Sequence, residues 1–297
     1  MEPEKLKKND AVGIIAPCYI VKDHQYDEII KGIESLGYKV VLGKNIYKNT
    51  YGYSASELER ADDFNSMVIS KEIKMIIFGG GFAGNEIIPY IDFDSIRQNP
   101  KIFSSYSDGT TILNIIYSQT ELVTYYGQRP ATFAGITEYN RESFVRNFVI
   151  GNIQEFEKNS EWDIICPGNA EGILIGGYLE NFSFLPGSRY FHYESNKKYV
   201  LFLEDYYKFN QPIQISMYLS YIEQSSFINN VSGLIFGHYA DTKSDELRNR
   251  LYRFGKKYGI PVIYCDDYGH GINNGILQIG RMAILDSDTK SLKYVSL

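Results

Sequence analysis

Ser107 stands in the run Ser104-Ser105-Tyr106-Ser107-Asp108-Gly109-Thr110-Thr111, between an apolar segment and the helical Ile112-Leu113-Asn114-Ile115-Ile116. Small residues two before and two after it permit a tight strand-to-helix reversal. That is the steric requirement of a nucleophile elbow, where a strained turn exposes a serine hydroxyl. The helix that follows would aim its free backbone N–H groups at that hydroxyl. A Ser-x-Ser-Asp run also serves as an ordinary cap or turn. A serine nucleophile needs a base, and the chain has four histidines, His24, His192, His238 and His270. His24 opens a solvated helix, His192 sits among aromatics in a loop, and His238 follows the strand ending at Phe236-Gly237. His270 has Gly269 and Gly271 on either side, so the backbone can bend and project the imidazole into a cleft. An exposed turn histidine would read the same way. Glu204 closes the apolar run Tyr199 to Leu203. A carboxylate at the end of a buried strand is costly unless paired, and orienting a histidine is one way to pair it. A plain strand-end acid fits equally. Asp205 points to the other side if the strand persists.

The elements that must hold these residues alternate in the first half. Ala11 to Ala16, Val40 to Leu42, Ile73 to Phe78 and the run from Lys101 read as strands. Tyr26, Ile29, Ile30, Ile33 and Leu36 recur at helical spacing and Gly37 follows as a stop. Ser54-Ala55-Ser56-Glu57 has the form of a capping box opening a helix with Leu58, Ala61, Phe64 and Val68 inward. Another helix is expected near Glu86. Such alternation implies a mostly parallel sheet with helices on both faces. The stretch from Asn152 to Gly172 is polar, irregular and contains Pro167-Gly168-Asn169, which reads as a linker. Beyond it come short strands, with helices expected over about Pro212 to Glu223 and Asp245 to Tyr258. The fold class is therefore α/β: a Rossmann-like parallel-sheet domain over 1–150, a linker over 151–171, and a smaller mixed α+β domain over 172–297.

Composition narrows the partners. The 297 residues carry a formal net charge of −6, with an isoelectric point near 5.4. That argues against nucleic acid and anionic membrane surfaces. Cys18, Cys166 and Cys265 are odd in number, widely spaced and form no Cys-x-x-Cys pair, so neither a disulfide framework nor a structural zinc site is expected. A reducing compartment, by default the cytoplasm, fits best. The start Met1-Glu2-Pro3-Glu4-Lys5-Leu6-Lys7-Lys8 has no apolar leader core, and no run approaches the length of a membrane span. The 26 tyrosines are scattered, as packing residues with hydroxyls at the surface. Gly79-Gly80-Gly81 is contiguous rather than spaced Gly-x-Gly-x-x-Gly, so a dinucleotide fingerprint is weakly supported.

Taken together, ordered blocks along nearly the whole chain resemble the serine LD-carboxypeptidases, which include murein tetrapeptide carboxypeptidases and microcin C self-immunity hydrolases. The blocks are Leu6 to Asp10, Ala16-Pro17, Arg60-Ala61-Asp62-Asp63-Phe64-Asn65, the glycine turn, and Pro89-Tyr90-Ile91-Asp92-Phe93. Further on come Asn99-Pro100-Lys101, Tyr106-Ser107-Asp108, Gly176-Gly177, Leu203-Glu204-Asp205, Gly233 to Gly237 and Gly269-His270-Gly271. The resemblance implies a triad of Ser107 as nucleophile, His270 as base and then acid, and Glu204 orienting the imidazole, on two domains with the active site between them. It also implies an oxyanion hole from the backbone N–H groups of Asp108 and Gly81, no metal or organic cofactor, and a homodimer. Three departures stand out. The family turn Arg-Gly-Gly-Tyr-Gly reads Gly79-Gly80-Gly81-Phe82-Ala83, so Gly80 and Phe82 are substrate-binding candidates without the arginine. A family Gly-Pro reads Gly127-Gln128-Arg129-Pro130, which brings Arg129 near the expected cleft, where it could bind a carboxylate; an ordinary surface-loop arginine is the more common outcome at such a position. The family Gly-Gly-Asn-Leu reads Gly176-Gly177-Tyr178-Leu179. The segment from Glu161 to Gly172 is short beside the immunity hydrolases, in which an inserted loop carries a base-stacking tryptophan; Trp162 is the one tryptophan here. The expected substrate is a muropeptide or other short peptide cut before a terminal D-alanine. A peptidyl-nucleotide antibiotic is the alternative, and a non-catalytic binding homologue is a third reading.

Overall fold

The computed structural model describes residues 1–19, 22 and 24–295. The chain divides into two compact units, Met1–Gly151 and Asn152–Leu297. The class is α/β, with a parallel sheet in the first unit and a mixed sheet in the second. Among the described residues no helix is long and apolar enough to cross a membrane.

The first unit runs β1 (Ala11–Ile15), α1 (Asp27–Ser35), β2 (Lys39–Leu42), α2 (Glu57–Ile69), β3 (Ile73–Phe78), α3 (Phe93–Gln98), β4 (Ile102–Ser105), α4 (Gly109–Thr120), β5 (Thr124–Tyr126) and α5 (Glu138–Phe144). Its strands lie in the order β5-β4-β3-β1-β2, and every adjacent pair is parallel. Apolar strands buried on both faces are what such a sheet demands, and β1 and β4 are buried throughout. The order reverses between β1 and β3. Ligands of open parallel sheets bind beyond the carboxyl ends of the strands at that switch point. Those ends carry the loop from Ala16, the glycine turn after Phe78, the Ser107 turn after β4 and Arg129 after β5.

Local signals set several boundaries. Gly37 sits at φ 92° just past α1, a conformation that costs glycine little. The capping box of α2 lies two residues later than the sequence suggested: Ser56 caps, its hydroxyl accepting from the Glu59 N–H while Glu59 accepts from the Ser56 N–H at 2.9 Å. Ser54 is buried and donates to the Ala55 carbonyl instead.

The second unit runs β6 (Asp163–Cys166), β7 (Asn169–Tyr178), α6 (Leu179–Phe184), β8 (Tyr199–Glu204), α7 (Pro212–Gln224), β9 (Val231–His238), α8 (Asp245–Tyr258), β10 (Val262–Gly269), β11 (Leu277–Ile279), β12 (Met282–Asp286) and β13 (Ser291–Tyr294). Its seven-stranded sheet has the order β13-β12-β7-β8-β9-β10-β6. The central strands β7 to β10 are parallel, and antiparallel partners flank them. Tyr178, Glu204, His238 and Gly269 therefore close neighbouring strands at one edge of the sheet. The stretch read as a linker is partly sheet: β6 pairs with β10 there, because Asp163-Ile164-Ile165-Cys166 can complete an edge despite its polar surroundings.

Candidate active site

In the first unit Ser107 sits between β4 and α4 at φ 54°, a left-handed conformation that a non-glycine residue adopts only when its surroundings hold it. Those surroundings are visible. The Ser107 N–H donates to the Tyr126 hydroxyl at 3.0 Å. The Thr110 N–H donates back to the Ser107 carbonyl at 2.9 Å, and the Ser105 hydroxyl ties the end of β4 to the Phe78 carbonyl of β3. The turn is fixed on both sides.

Gly80 is a close-approach glycine. A Cβ built there would lie 2.6 Å from the Ser107 Cβ and 2.9 Å from its Oγ. At Gly81 a Cβ would fall 2.4 Å from the Cys18 carbonyl oxygen. That carbonyl accepts from the N–H groups of Phe82 and Ala83, while the Gly81 N–H has no acceptor among the described residues. The Phe82 ring is 89% exposed. Asp108 is buried, and its carboxylate accepts from the Gly84 N–H at 2.7 Å, locking the glycine turn to the Ser107 turn.

Sequence reasoning missed the residue that braces this turn from behind. Buried Arg60 donates to the Pro17 and Ala83 carbonyls and pairs with Glu86. The expected inward face of α2 began at Leu58, which is exposed; the buried face includes Arg60 instead, and only the fold shows which carbonyls it serves. Arg129, half-buried, lays its guanidinium 3.9 Å from the centroid of the Tyr106 ring.

In the second unit Nδ1 of His270 lies 2.9 Å from Oε2 of Glu204. Glu204 is wholly buried and the imidazole is 7% exposed. Three aromatic rings hold it: Tyr206 stacked at 5.5 Å, Tyr178 tilted at 5.2 Å and Phe209 edge-on at 5.6 Å. A proton on Nδ1 would bond this carboxylate and leave Nε2 as the atom able to act as a base. Asp205 is also wholly buried. It accepts from the Tyr206 N–H and from Asn210, whose amide also bonds the Tyr178 hydroxyl. Burial first, then the neighbouring Glu204 charge, pushes the Asp205 carboxyl well above its ordinary range.

A second imidazole is carboxylate-paired: Nδ1 of His238 lies 2.9 Å from Oδ1 of Asp266. Its acid is half-exposed, whereas Glu204 is closed to water. Trp162 is a core residue, 2% exposed, with its indole N–H on buried Asp267 at 2.7 Å. Within the first unit Ser107, Asp108, Gly80 and Gly81 thus form one constellation, with Arg129 adjoining through Tyr106. Glu204 and His270 form the other, in the second unit.

A serine in a strained strand-to-helix turn at the head of a parallel sheet is a feature of serine hydrolases, and comparison with known proteins bears that enzyme class out. Residues 12–127 match the LD-carboxypeptidase N-terminal domain and residues 171–285 the LD-carboxypeptidase C-terminal domain of peptidase family S66. The chain belongs to this LD-carboxypeptidase family, and it is a serine carboxypeptidase, a hydrolase of peptide bonds. It is 30% identical to the probable murein peptide carboxypeptidase of Bacillus subtilis, over 98% of this chain and 93% of that one. Against the microcin C7 self-immunity protein MccF of Escherichia coli the identity is 27%, over 97% and 93%. The crystal structure of an MccF-like protein from Bacillus anthracis superposes with a TM-score of 0.90 at 25% identity, covering all of both chains.

Proposed function

We propose that the enzyme hydrolyses the L,D peptide bond before a C-terminal D-amino acid in muropeptides, using Ser107, His270 and Glu204. The observation that carries this reading is the 2.9 Å contact between the His270 imidazole and a carboxylate wholly removed from water. A buried carboxylate in that position fixes the tautomer and stabilises the imidazolium that forms in the transition state.

In the proposed reaction Ser107 Oγ attacks the scissile carbonyl carbon as its proton passes to Nε2 of His270. The oxyanion is received by the N–H groups of Gly81 and Asp108, each contributing on the order of 3 kcal/mol. The imidazolium then protonates the leaving amine, and the terminal amino acid departs. Water, deprotonated by the same imidazole, attacks the acyl ester and regenerates Ser107. Gly81 suits the oxyanion role because its two successors already spend their N–H groups on Cys18. Gly80 leaves space beside the hydroxyl, and Phe82 and Arg129 face the substrate.

The murein assignment of a 30%-identical relative supports the substrate class. The likeness to MccF supports the alternative of a peptidyl-nucleotide, but Trp162 is committed to Asp267 and presents no indole to a base. Three buried free cysteines suit a reducing compartment such as the cytoplasm. For a homodimer the support is an exposed apolar row on α7, Ile213, Met217 and Tyr221, with Phe184 beside Tyr221.

The deciding experiment incubates an L,D-tetrapeptide with wild type and Ser107→Ala and follows D-alanine by mass spectrometry. Release by wild type alone supports the reading. No release by folded wild type, with cleavage of a peptidyl-nucleotide instead, replaces it by the alternative; inertness toward both leaves a binding homologue.

A further inference from the structure

Arg129 presents a cation beside the nucleophile turn that no acid among the described residues neutralises. Its guanidinium carbon lies 3.9 Å from the ring centroid of Tyr106, the residue directly before Ser107. Among the described residues no acidic side chain pairs with it, although most other half-buried or buried arginines here have an acid, Arg60 with Glu86, Arg248 with Asp163 and Arg250 with Glu223.

The backbone that carries Arg129 is firmly placed. The Gln128 carbonyl accepts from the Ser104 hydroxyl at 2.7 Å, and the Gln128 side-chain amide bonds the Asn140 carbonyl. The Arg129 N–H donates to the Thr132 hydroxyl, its carbonyl accepts from the Thr132 N–H, and Pro130 follows at the head of a short 3-10 turn. A guanidinium held over an aromatic ring can still offer its N–H groups to a carboxylate as two parallel hydrogen bonds.

A carboxypeptidase that releases one residue has a specific need. The free carboxylate of that residue is attached to the Cα next to the scissile nitrogen, and successive Cα atoms are about 3.8 Å apart. Whatever reads it must therefore stand next to the nucleophile. We infer that Arg129 is the carboxylate clamp of the enzyme, holding the free terminus of the departing residue and so restricting hydrolysis to the last bond of the chain. The inference rests on the proposed peptidase reading and adds to it a residue that sets specificity.

The test compares two tetrapeptides, one ending in a free D-alanine carboxylate and one in its carboxamide, with wild type, Arg129→Gln and Arg129→Lys. The clamp requires that wild type favour the acid and that Arg129→Gln lower the acid-to-amide ratio of kcat/KM on the order of 10- to 100-fold, mostly through KM on the acid. Arg129→Lys should fall between, because an ammonium keeps the charge and loses the fork. Each ratio is taken within one preparation, so a partly folded variant does not distort it. An unchanged ratio in Arg129→Gln, with Ser107→Ala inactive, overturns the clamp and leaves the peptidase reading standing. Wild type inert toward both peptides sinks the reading and the clamp together.

Discussion

The carboxylate of Glu204 is boxed between the His270 imidazole, 2.9 Å from Oε2, and the backbone of Gly269, where a Cβ would fall 2.8 Å from the same oxygen. Gly269 sits at φ 103°, so any side chain there strains the backbone and strikes the carboxylate. In the proposed mechanism this oxygen sets the tautomer of His270. Glu204→Gln should therefore reduce kcat about 10³- to 10⁴-fold with little change in KM. Gly269→Ala should lower kcat as well, by displacing the same oxygen. His238→Gln, which alters the other carboxylate-paired imidazole, should cost less than about tenfold. Steady-state kinetics on the tetrapeptide decides, and a larger loss from His238→Gln than from Glu204→Gln would reverse the assignment of the base.

Space beside Ser107 depends on the missing side chain at Gly80. Since the serine is held at φ 54° by bonds on both sides, it cannot swing away from a new methyl 2.6 Å from its Cβ. Gly80→Ala should slow labelling of Ser107 by a fluorophosphonate about 100-fold or more while the melting temperature moves by a few degrees. Labelling at the wild-type rate would show that the turn yields.

Asp205 gives a pH signature in stability. Burial raises its folded pKa above the unfolded value of about 3.9, so the folded state binds the proton more tightly. The stability this confers is full below about pH 4 and is lost as pH climbs toward the folded pKa. Asp205→Asn removes that loss. The melting temperature of the variant relative to wild type should rise steadily from pH 4 toward neutrality, by about 2–4 °C for each kcal/mol of linkage. A difference that stays constant with pH would mean that Asp205 ionises alike in both states.

Trp162, the single tryptophan, reports on the nucleotide alternative. Its indole is buried and bonded to Asp267, so titration with adenosine monophosphate should leave its emission unchanged. Trp162→Phe should cost about 1–3 kcal/mol by removing one of the donors to the buried Asp267 carboxylate, which keeps the Asn159 N–H, with KM for the peptide unaffected. Quenching by the nucleotide would favour the peptidyl-nucleotide reading.

On α7 the exposed Ile213, Met217 and Tyr221 recur every fourth residue and so share one face. Replacing Ile213 and Met217 by Glu should convert a dimer to monomer in sedimentation velocity, with the melting temperature little changed. A wild-type monomer at micromolar concentration would remove the dimer from the reading.

Much of this was legible in the chain alone, and the physical reason is range. Helix stops, caps and turns depend on residues within a few positions, so Gly37 marked the end of α1 and the periodicity placed α7 and α8 to within a residue or so. The small residues around Ser107 likewise announced a tight turn between a strand and a helix. Where two local solutions compete, the sequence leaves a tie: Ser54 with Glu57 and Ser56 with Glu59 both satisfy the capping pattern, and only burial of Ser54 breaks it. Contacts between distant residues depend instead on strand order. Glu204 and His270 are 66 positions apart, Arg60 and Pro17 are 43 apart, and Trp162 and Asp267 are 105 apart. Nothing near Glu204 in the chain distinguishes a strand-end acid from the partner of an imidazole. The parallel packing of β8, β9 and β10 does, because it gathers their carboxyl ends at one edge and buries the acid where a polar group needs a partner.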